Sequence, residues 1–193
     1  MKNKFFLIIA VICLPIIWIN ALANEKTMSP WDFTLKSDAG AVSLSDFRGN
    51  VVLLYFGYTN CPDACPTTLS QWSKAFKKLT PQELAQVKGI MISVDPERDT
   101  PKRLALFVSF FHENIVGLTG SHEALNKATA LFDTTYKVST HKPGDKTYSV
   151  DHSFFVYLID GNGKTRYKFD FSASVDDLVK LLRDTLAEIK NQG

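Results

Sequence analysis

Val51-Val52-Leu53-Leu54-Tyr55-Phe56 is apolar at every position, and this run constrains the fold more than any other stretch of the chain. A strand with one wet face alternates, so a run without alternation reads as a strand covered on both faces, the central strand of an α/β sheet. Downstream, Leu69, Trp72, Phe76 and Leu79 recur at intervals of three and four, which marks one apolar helix face ending near Thr80-Pro81. Core packing accounts for Trp72 and Phe76. Ile90-Met91-Ile92-Ser93-Val94 is a second buried strand, so residues 51 to 94 read as a βαβ unit with a right-handed crossover.

The same patterning extends in both directions. Asp32 to Leu35 and Val42 to Leu44, around the turn residues Ser37-Asp38-Ala39-Gly40, predict a short hairpin capping the sheet. After the loop Asp95-Pro96-Glu97-Arg98-Asp99-Thr100, Thr100 is the N-cap and Pro101 the first residue of a helix with Leu104, Phe107, Val108 and Phe111 as its buried stripe. Ile115 to Leu118 is a third strand, and Ser121 caps a helix whose inner face is Ala124, Leu125, Ala128, Leu131 and Phe132. Residues 137 to 149 are polar, contain Pro143-Gly144, and read as a long exposed loop. Ser153 to Ile159 and Lys164 to Phe171 flank the turn Asp160-Gly161-Asn162-Gly163 as a hairpin, its second strand an edge strand with one solvated face. A last helix starts at Ser174, with Asp177 completing a capping box, and buries Leu178, Leu181, Leu182, Leu186 and Ile189. The fold class is α/β: a thioredoxin-like central mixed sheet with helices on both faces and an N-terminal β-hairpin extension.

At 193 residues, 45% hydrophobic and 22% charged, the chain suits one domain with a sizeable core. Lys2 and Lys4, the apolar run Phe5 to Ile19 and the small-residue motif Ala21-Leu22-Ala23 give residues 1 to 23 the form of an export signal, with residues 24 to 193 as the domain. The rival reading of that segment is an uncleaved membrane anchor, although fifteen apolar residues interrupted by Pro15 fall short of the roughly 20 a spanning helix needs. Either way the domain is expected in the periplasm or at the outer face of the inner membrane. The formal charge of +2 resides in the two leader lysines, which leaves the domain neutral and argues against nucleic acid as a partner.

Beyond the leader, which takes Cys13 with it, the chain has two cysteines, in Cys61-Pro62-Asp63-Ala64-Cys65-Pro66 at the end of the central strand. A pair so close in sequence closes a tiny loop and stabilises little as a structural bridge. In an open α/β sheet, ligands sit beyond the carboxyl ends of the parallel strands, and both this loop and the loop Asp95 to Thr100 leave from those ends. If the strand Ser153 to Ile159 runs antiparallel to the central one, His152 lies at the same edge. Pro66 disfavours helical geometry at Cys65, so the helix is expected to start at Pro66, where its amides favour thiolates.

Two thiolates and a neutral imidazole make a soft three-coordinate set suited to copper, above all Cu(I), whereas zinc would want a fourth ligand. Three residues between the cysteines, rather than the two of a redox C-x-x-C, leave more room between the sulfurs, although a disulfide stays open to them. A proline ahead of the strand facing the cysteines, expected of an oxidoreductase, is replaced by Val150-Asp151-His152. His112, His122 and His141 are read as surface residues. Asp63 reads equally as a tuner of thiol acidity or a solvated turn carboxylate; Asp95, Arg98 and Asp99 read equally as partner-orienting groups or as loop closure and capping.

Tyr55 to Pro66, Ser93-Val94-Asp95-Pro96-Glu97-Arg98-Asp99-Thr100, Val116-Gly117-Leu118-Thr119-Gly120 and Val150-Asp151-His152 together resemble the Sco/SenC family, over about residues 30 to 190. The resemblance implies a thioredoxin-fold copper protein that helps assemble the binuclear copper centre of cytochrome c oxidase subunit II. Its metal ligands would fall on Cys61, Cys65 and His152, carrying Cu(I) or also Cu(II). The implied partners are oxidase subunit II or a similar copper enzyme, an upstream copper donor or thiol reductant, and a membrane if the N-terminal segment anchors the chain. The alternative is a thiol-disulfide oxidoreductase in which Cys61 and Cys65 are the redox pair.

Overall fold

Seven consecutive residues, Val51–Gly57, form a strand in which every residue is buried. A computed structural model describes residues 32 to 190 apart from 143 and 146, so the expected leader and its cleavage site lie outside the described residues. In chain order the elements are β1 (Thr34–Ser37), β2 (Gly40–Ser43), a 3-10 turn (Leu44–Phe47), β3 (Val51–Gly57), α1 (Ala64–Phe76), α2 (Pro81–Leu84), β4 (Val87–Ser93), α3 (Pro101–Ser109), β5 (Ile115–Leu118), α4 (His122–Leu131), β6 (Tyr136–Val138), β7 (Val150–His152), β8 (Phe155–Ile159), β9 (Thr165–Asp170) and α5 (Val175–Lys190).

Five strands make a mixed sheet in the order β5-β4-β3-β8-β9. β3 pairs in parallel with β4, from Val51 opposite Val87 to Gly57 opposite Ser93, and antiparallel with β8. The central strand explains its own composition. Val51, Leu53 and Tyr55 pack beneath Leu69, Trp72 and Phe76 of α1 and Leu178, Leu182 and Leu186 of α5. Val52, Leu54 and Phe56 pack on the other face against Leu125 and Ala128 of α4 and against Phe33, Leu35 and Leu44 of the N-terminal hairpin. The hairpin is tied to the sheet by Lys36 and Thr119, which exchange backbone hydrogen bonds of 2.7 and 2.9 Å. The expected α/β class, with helices on both faces and a hairpin extension, is the architecture observed.

Several local expectations shift. β4 begins three residues earlier than Ile90. α1 ends at Phe76, and Thr80 caps the separate short α2 by accepting from the Glu83 amide. The expected single strand from Ser153 is interrupted: Val150–His152 pairs with Tyr136–Val138 in a sheet of its own, and only from Val156 does the chain pair with β3. Ser153 marks the switch, its amide donating to the Thr135 carbonyl instead of to β3. The segment 137 to 149 is therefore not wholly an exposed loop, because Lys137 and Val138 belong to β6, the Ser139 amide donates to the Ser149 carbonyl at 2.9 Å and Tyr148 is buried. On α3, Leu104 and Val108 are buried while Phe107 and Phe111 are half-buried, and Leu106 and Phe110 face solvent. β9 is the edge strand, but Tyr167 is exposed and Phe169 only half-buried, since no helix covers its inner side fully.

Trp72 fills the space between sheet and helices, and its ring edge would stand 3.0 Å from a Cβ placed on Gly89. Trp72→Ala is expected to cost about 3–5 kcal/mol of unfolding free energy in a urea titration. Leu106→Ala, on the wet face of α3, should stay within about 0.5 kcal/mol.

Candidate metal centre

β3 delivers the chain to the carboxyl edge of the sheet, and Gly57 is where the two halves of the cysteine motif meet the strand. A Cβ at Gly57 would stand 2.6 Å from the Cys65 sulfur and 2.9 Å from the Tyr55 ring. Only glycine lets that sulfur settle against the strand. From there the loop turns tightly, with the Cys61 amide donating to the Tyr58 carbonyl at 3.3 Å. α1 begins at Ala64, two residues ahead of the expected start, with Asp63 as N-cap. Pro66 is tolerated inside the first turn because its missing N–H is one that a helix start leaves unbonded anyway. The first helical bond runs from the Thr67 amide to the Asp63 carbonyl, at 3.1 Å. Cys65 is thus buried in the first turn, while Cys61 sits half-exposed in the loop.

His152 ends β7, opposite Tyr136. Its ring stands edge-on to Tyr55 and to Tyr58, each with centroids at 5.8 Å, and leans on Phe154 at 4.8 Å. Nδ1 lies 3.0 Å from the Ser153 carbonyl oxygen, which can only accept, so Nδ1 carries the hydrogen and Nε2 holds a lone pair. That Nε2 is buried and has no hydrogen-bond partner. One ligand atom from each of Cys61, Cys65 and His152 lies within 4.8 Å of the others, the one such cluster among the described residues. Metal–sulfur and metal–nitrogen bonds of about 2.0–2.3 Å put the corners of a trigonal site roughly 3.5–4 Å apart, so a small contraction would close the set around an ion. The donor types and their separation fit a soft cation.

The two thiols are not equivalent. Cys61 is pulled down to about 3, chiefly by the hydrogen bond from the Cys65 thiol, against a burial that pushes it up. The backbone amides of Cys65 and Asp63 add to the effect. Cys65 moves the other way, well above the usual thiol range, because it donates that same hydrogen bond and because it is buried. The free pair is therefore a Cys61 thiolate bridged by the Cys65 proton, and a metal taking both sulfurs must expel that proton. Burial, and then the neighbouring Cys65, raise the Tyr55 hydroxyl, which stays neutral 4.0 Å from the Cys65 sulfur.

Two carboxylates in the loop after β4 hold the site from behind. Buried Asp99 accepts from the Thr59 amide at 2.8 Å, from the Thr59 hydroxyl and from Ser93 Oγ at 2.6 Å, while Arg103 Nε donates to Thr59 Oγ1 at 2.9 Å. This fixes the chain two residues ahead of Cys61. Buried Asp95 accepts from Arg98 Nε and, at 2.6 Å, from the Tyr148 hydroxyl; Arg98 Nη1 donates to the Tyr148 carbonyl at 2.7 Å. The Tyr148 ring is sandwiched between the Arg98 guanidinium, 3.6 Å from its centroid, and the His141 ring at 3.8 Å. This fixes the chain four residues ahead of His152.

The expected trio, Cys61, Cys65 and His152, is brought together. Asp95, Arg98 and Asp99 serve loop closure, one of the two roles read for them. Asp63 is an exposed cap whose carboxylate accepts from Thr67 Oγ1 at 3.2 Å. Two histidines read as surface residues have partners: His141 stacks on Tyr148 and meets Glu97 at 3.1 Å, and His112 packs edge-on to Phe76. His122 is exposed. Sequence reasoning missed Gly57, Tyr58, Tyr148 and Phe154. The aromatic density of Tyr55-Phe56-Gly57-Tyr58 was the available signal, but periodicity assigns such residues to a core.

A thioredoxin-like α/β domain that sets two cysteines of a C-x-x-x-C loop against a distal strand-end histidine defines a small class of proteins. A family model described as SCO1/SenC matches residues 21 to 187. A SCO2-like protein of Rickettsia conorii is 36% identical over 154 residues, covering 79% of this chain and 75% of its own. Among solved structures, copper-bound ScoI of Bradyrhizobium japonicum superposes with a TM-score of 0.72 at 33% identity, covering 80% of this chain and 98% of that one. BsSco, described through its disulfide switch as a member of the Sco family of cytochrome c oxidase assembly proteins, gives 0.60 at 27% identity, covering 81% and 92%. The chain belongs to the SCO1/SenC family.

The shared proton has a measurable signature. Iodoacetamide should modify Cys61 and spare buried Cys65, at a rate that stays flat from about pH 8 to about pH 5, because the thiolate is fully formed well above a pKa of about 3. Replacing the donor with Cys65→Ala should move the inflection up toward about 8.5, read by mass spectrometry of the labelled protein.

Proposed function

We propose that this protein is an exported copper metallochaperone: it holds copper with Cys61, Cys65 and His152 and delivers it to the binuclear copper site of cytochrome c oxidase subunit II or a similar copper enzyme. The observation that carries the reading is the buried, unpartnered Nε2 of His152 beside two sulfurs, with all three ligand atoms within 4.8 Å. Two thiolates and an imidazole suit Cu(I) first, and the same set tolerates Cu(II). Copper is cargo here. Residues 1 to 23 would export the chain or anchor it at the outer face of the inner membrane, and residues 24 to 193 would form the copper-binding domain. Among the described residues no helix is long and apolar enough to cross a membrane.

The unequal burial of the three ligands suggests how exchange proceeds. Cys65 is sealed under Tyr55 and Gly57, and His152 under Tyr58 and Phe154, whereas Cys61 is half-exposed. An incoming thiol, thioether or imidazole of the acceptor therefore meets the metal on the Cys61 side. Cys61, on its loop, is the ligand able to swing away first, and Cys65 recovers a proton as the metal leaves.

A second reading keeps some support from the cysteines themselves, which are free, close together and already share one proton. In it, Cys61 attacks a disulfide of the oxidase's copper-binding cysteines and Cys65 resolves the mixed disulfide, so that two electrons and two protons pass to the target and the pair is left oxidised. His152→Ala separates the two. For a chaperone, Cu(I) titration of the reduced variant should show affinity lowered beyond the roughly 10–100-fold that loss of a supporting partner costs, with oxidase maturation lost and dithiol oxidation rates preserved. A variant that binds Cu(I) as tightly as wild type and matures the oxidase fully would sink the chaperone reading.

A further inference from the structure

Two of the three metal ligands, Cys61 and His152, line a cleft of about 390 Å³, and that cleft is far larger than its cargo requires. An ion with a water needs on the order of 30 Å³. The walls are apolar: Tyr58, Pro62, Val150, Phe154 and Phe171 line it beside Cys61 and His152. Phe154 is 45% exposed although it packs at a tilt against His152 and, at 5.8 Å, against the half-buried ring of Phe171. An aromatic pair held open to water beside a buried ligand is what an interface core looks like before its partner arrives. At the rim stand two exposed carboxylates, Asp63 and Asp151, and no cation is among the residues lining the cleft. Lys137, opposite Asp151 across the β6–β7 ladder, lies outside the cleft, and among the described residues the Asp63 carboxylate is engaged by the neutral Thr67 hydroxyl.

Resting on the copper-transfer reading, we infer that the cleft receives an extended segment of the copper-exchanging partner, an apolar side chain seated against Phe154 and Phe171 beside a soft metal ligand, with a lysine or arginine toward Asp63 and Asp151. The occupant is a protein segment because Cys65 and His152 are sealed from behind. The ligand that takes or gives the metal must come through the cleft and bring its sequence neighbours with it. The apolar walls select the flanking residue, and the carboxylates set the polarity of approach.

Three capped tetrapeptides serve as probes, titrated into the reduced, isotopically labelled protein and followed by amide chemical shifts: Lys-Phe-Met-Gly, Glu-Phe-Met-Gly and Lys-Ser-Met-Gly. The first should shift the amides of Tyr58, Phe154 and Phe171. Removing its aromatic ring should weaken binding by about fivefold, and reversing its charge by about threefold, an effect that salt suppresses. Phe171→Ser, which touches none of the three ligands, should abolish the preference for Phe over Ser in the peptide while leaving the Cu(I) titration unchanged. These peptide comparisons in wild type stand even if that variant folds poorly. Equal affinity for all three peptides, or shifts elsewhere on the surface, would overturn the inference, as would a cleft filled instead by the Cu(I)–glutathione complex in preference to Lys-Phe-Met-Gly. Wild type that fails to bind Cu(I) at all would instead remove the copper reading, whatever the peptides do.

Discussion

A buried imidazole nitrogen without a hydrogen-bond partner is the costly feature around which this molecule is arranged. Leaving such a group unsatisfied costs about 1–3 kcal/mol, and it persists only where its surroundings hold it in place. Here they do. The Ser153 carbonyl takes the Nδ1 hydrogen of His152, three aromatic rings fix the plane of the imidazole, and the β6–β7 ladder holds the backbone that carries it. The lone pair is aimed in advance, so closing around a metal ion requires little reorganisation.

The five residues from Asp95 to Asp99 bring the two halves of the site into register. Their turn is closed by the Asp99 amide donating to the Asp95 carbonyl at 2.9 Å, and each end contributes one buried carboxylate. Asp99 grips the cysteine loop through Thr59, and Asp95 grips the histidine-bearing segment through Tyr148 and Arg98. Both carboxylates are satisfied by several donors, which is the condition under which a buried charge is tolerated. One turn at the end of β4 thereby sets the distance between ligands that lie far apart along the chain.

Much of this was legible in the order of residues. The unbroken apolar run of β3, the helical stripe of α1 and the caps Thr100 and Ser121 each report a local preference that the tertiary structure reinforces; the strand and the two caps form where expected, and α1 forms with its ends shifted. Cys61, Cys65 and His152 could be assembled by strand order alone, because the carboxyl edge of a parallel sheet is a fixed place. What failed did so for identifiable reasons. The polar segment after residue 137 looks like a loop because its three-residue strands are too short to establish a period, and its anchor, Tyr148, is one aromatic residue in polar surroundings. His141 looks like a surface residue in sequence because stacking on Tyr148 and pairing with Glu97 are contacts between distant segments.

Sequence alone determined the class of fold, the edge of the sheet where chemistry would occur and the three side chains that would meet there, since each follows from periodicity, chain direction and residue type. Tertiary structure alone decided the state of those side chains. Which thiol keeps the proton depends on Cys65 being buried against Gly57 while Cys61 faces the cleft. Which imidazole nitrogen is free depends on the Ser153 carbonyl just beyond β7, and which ligand an acceptor meets first depends on rings packed from β3, from the loop that follows it and from the junction between β7 and β8. Proton position and accessibility are set by through-space neighbours, and a chain read one residue after another does not contain them.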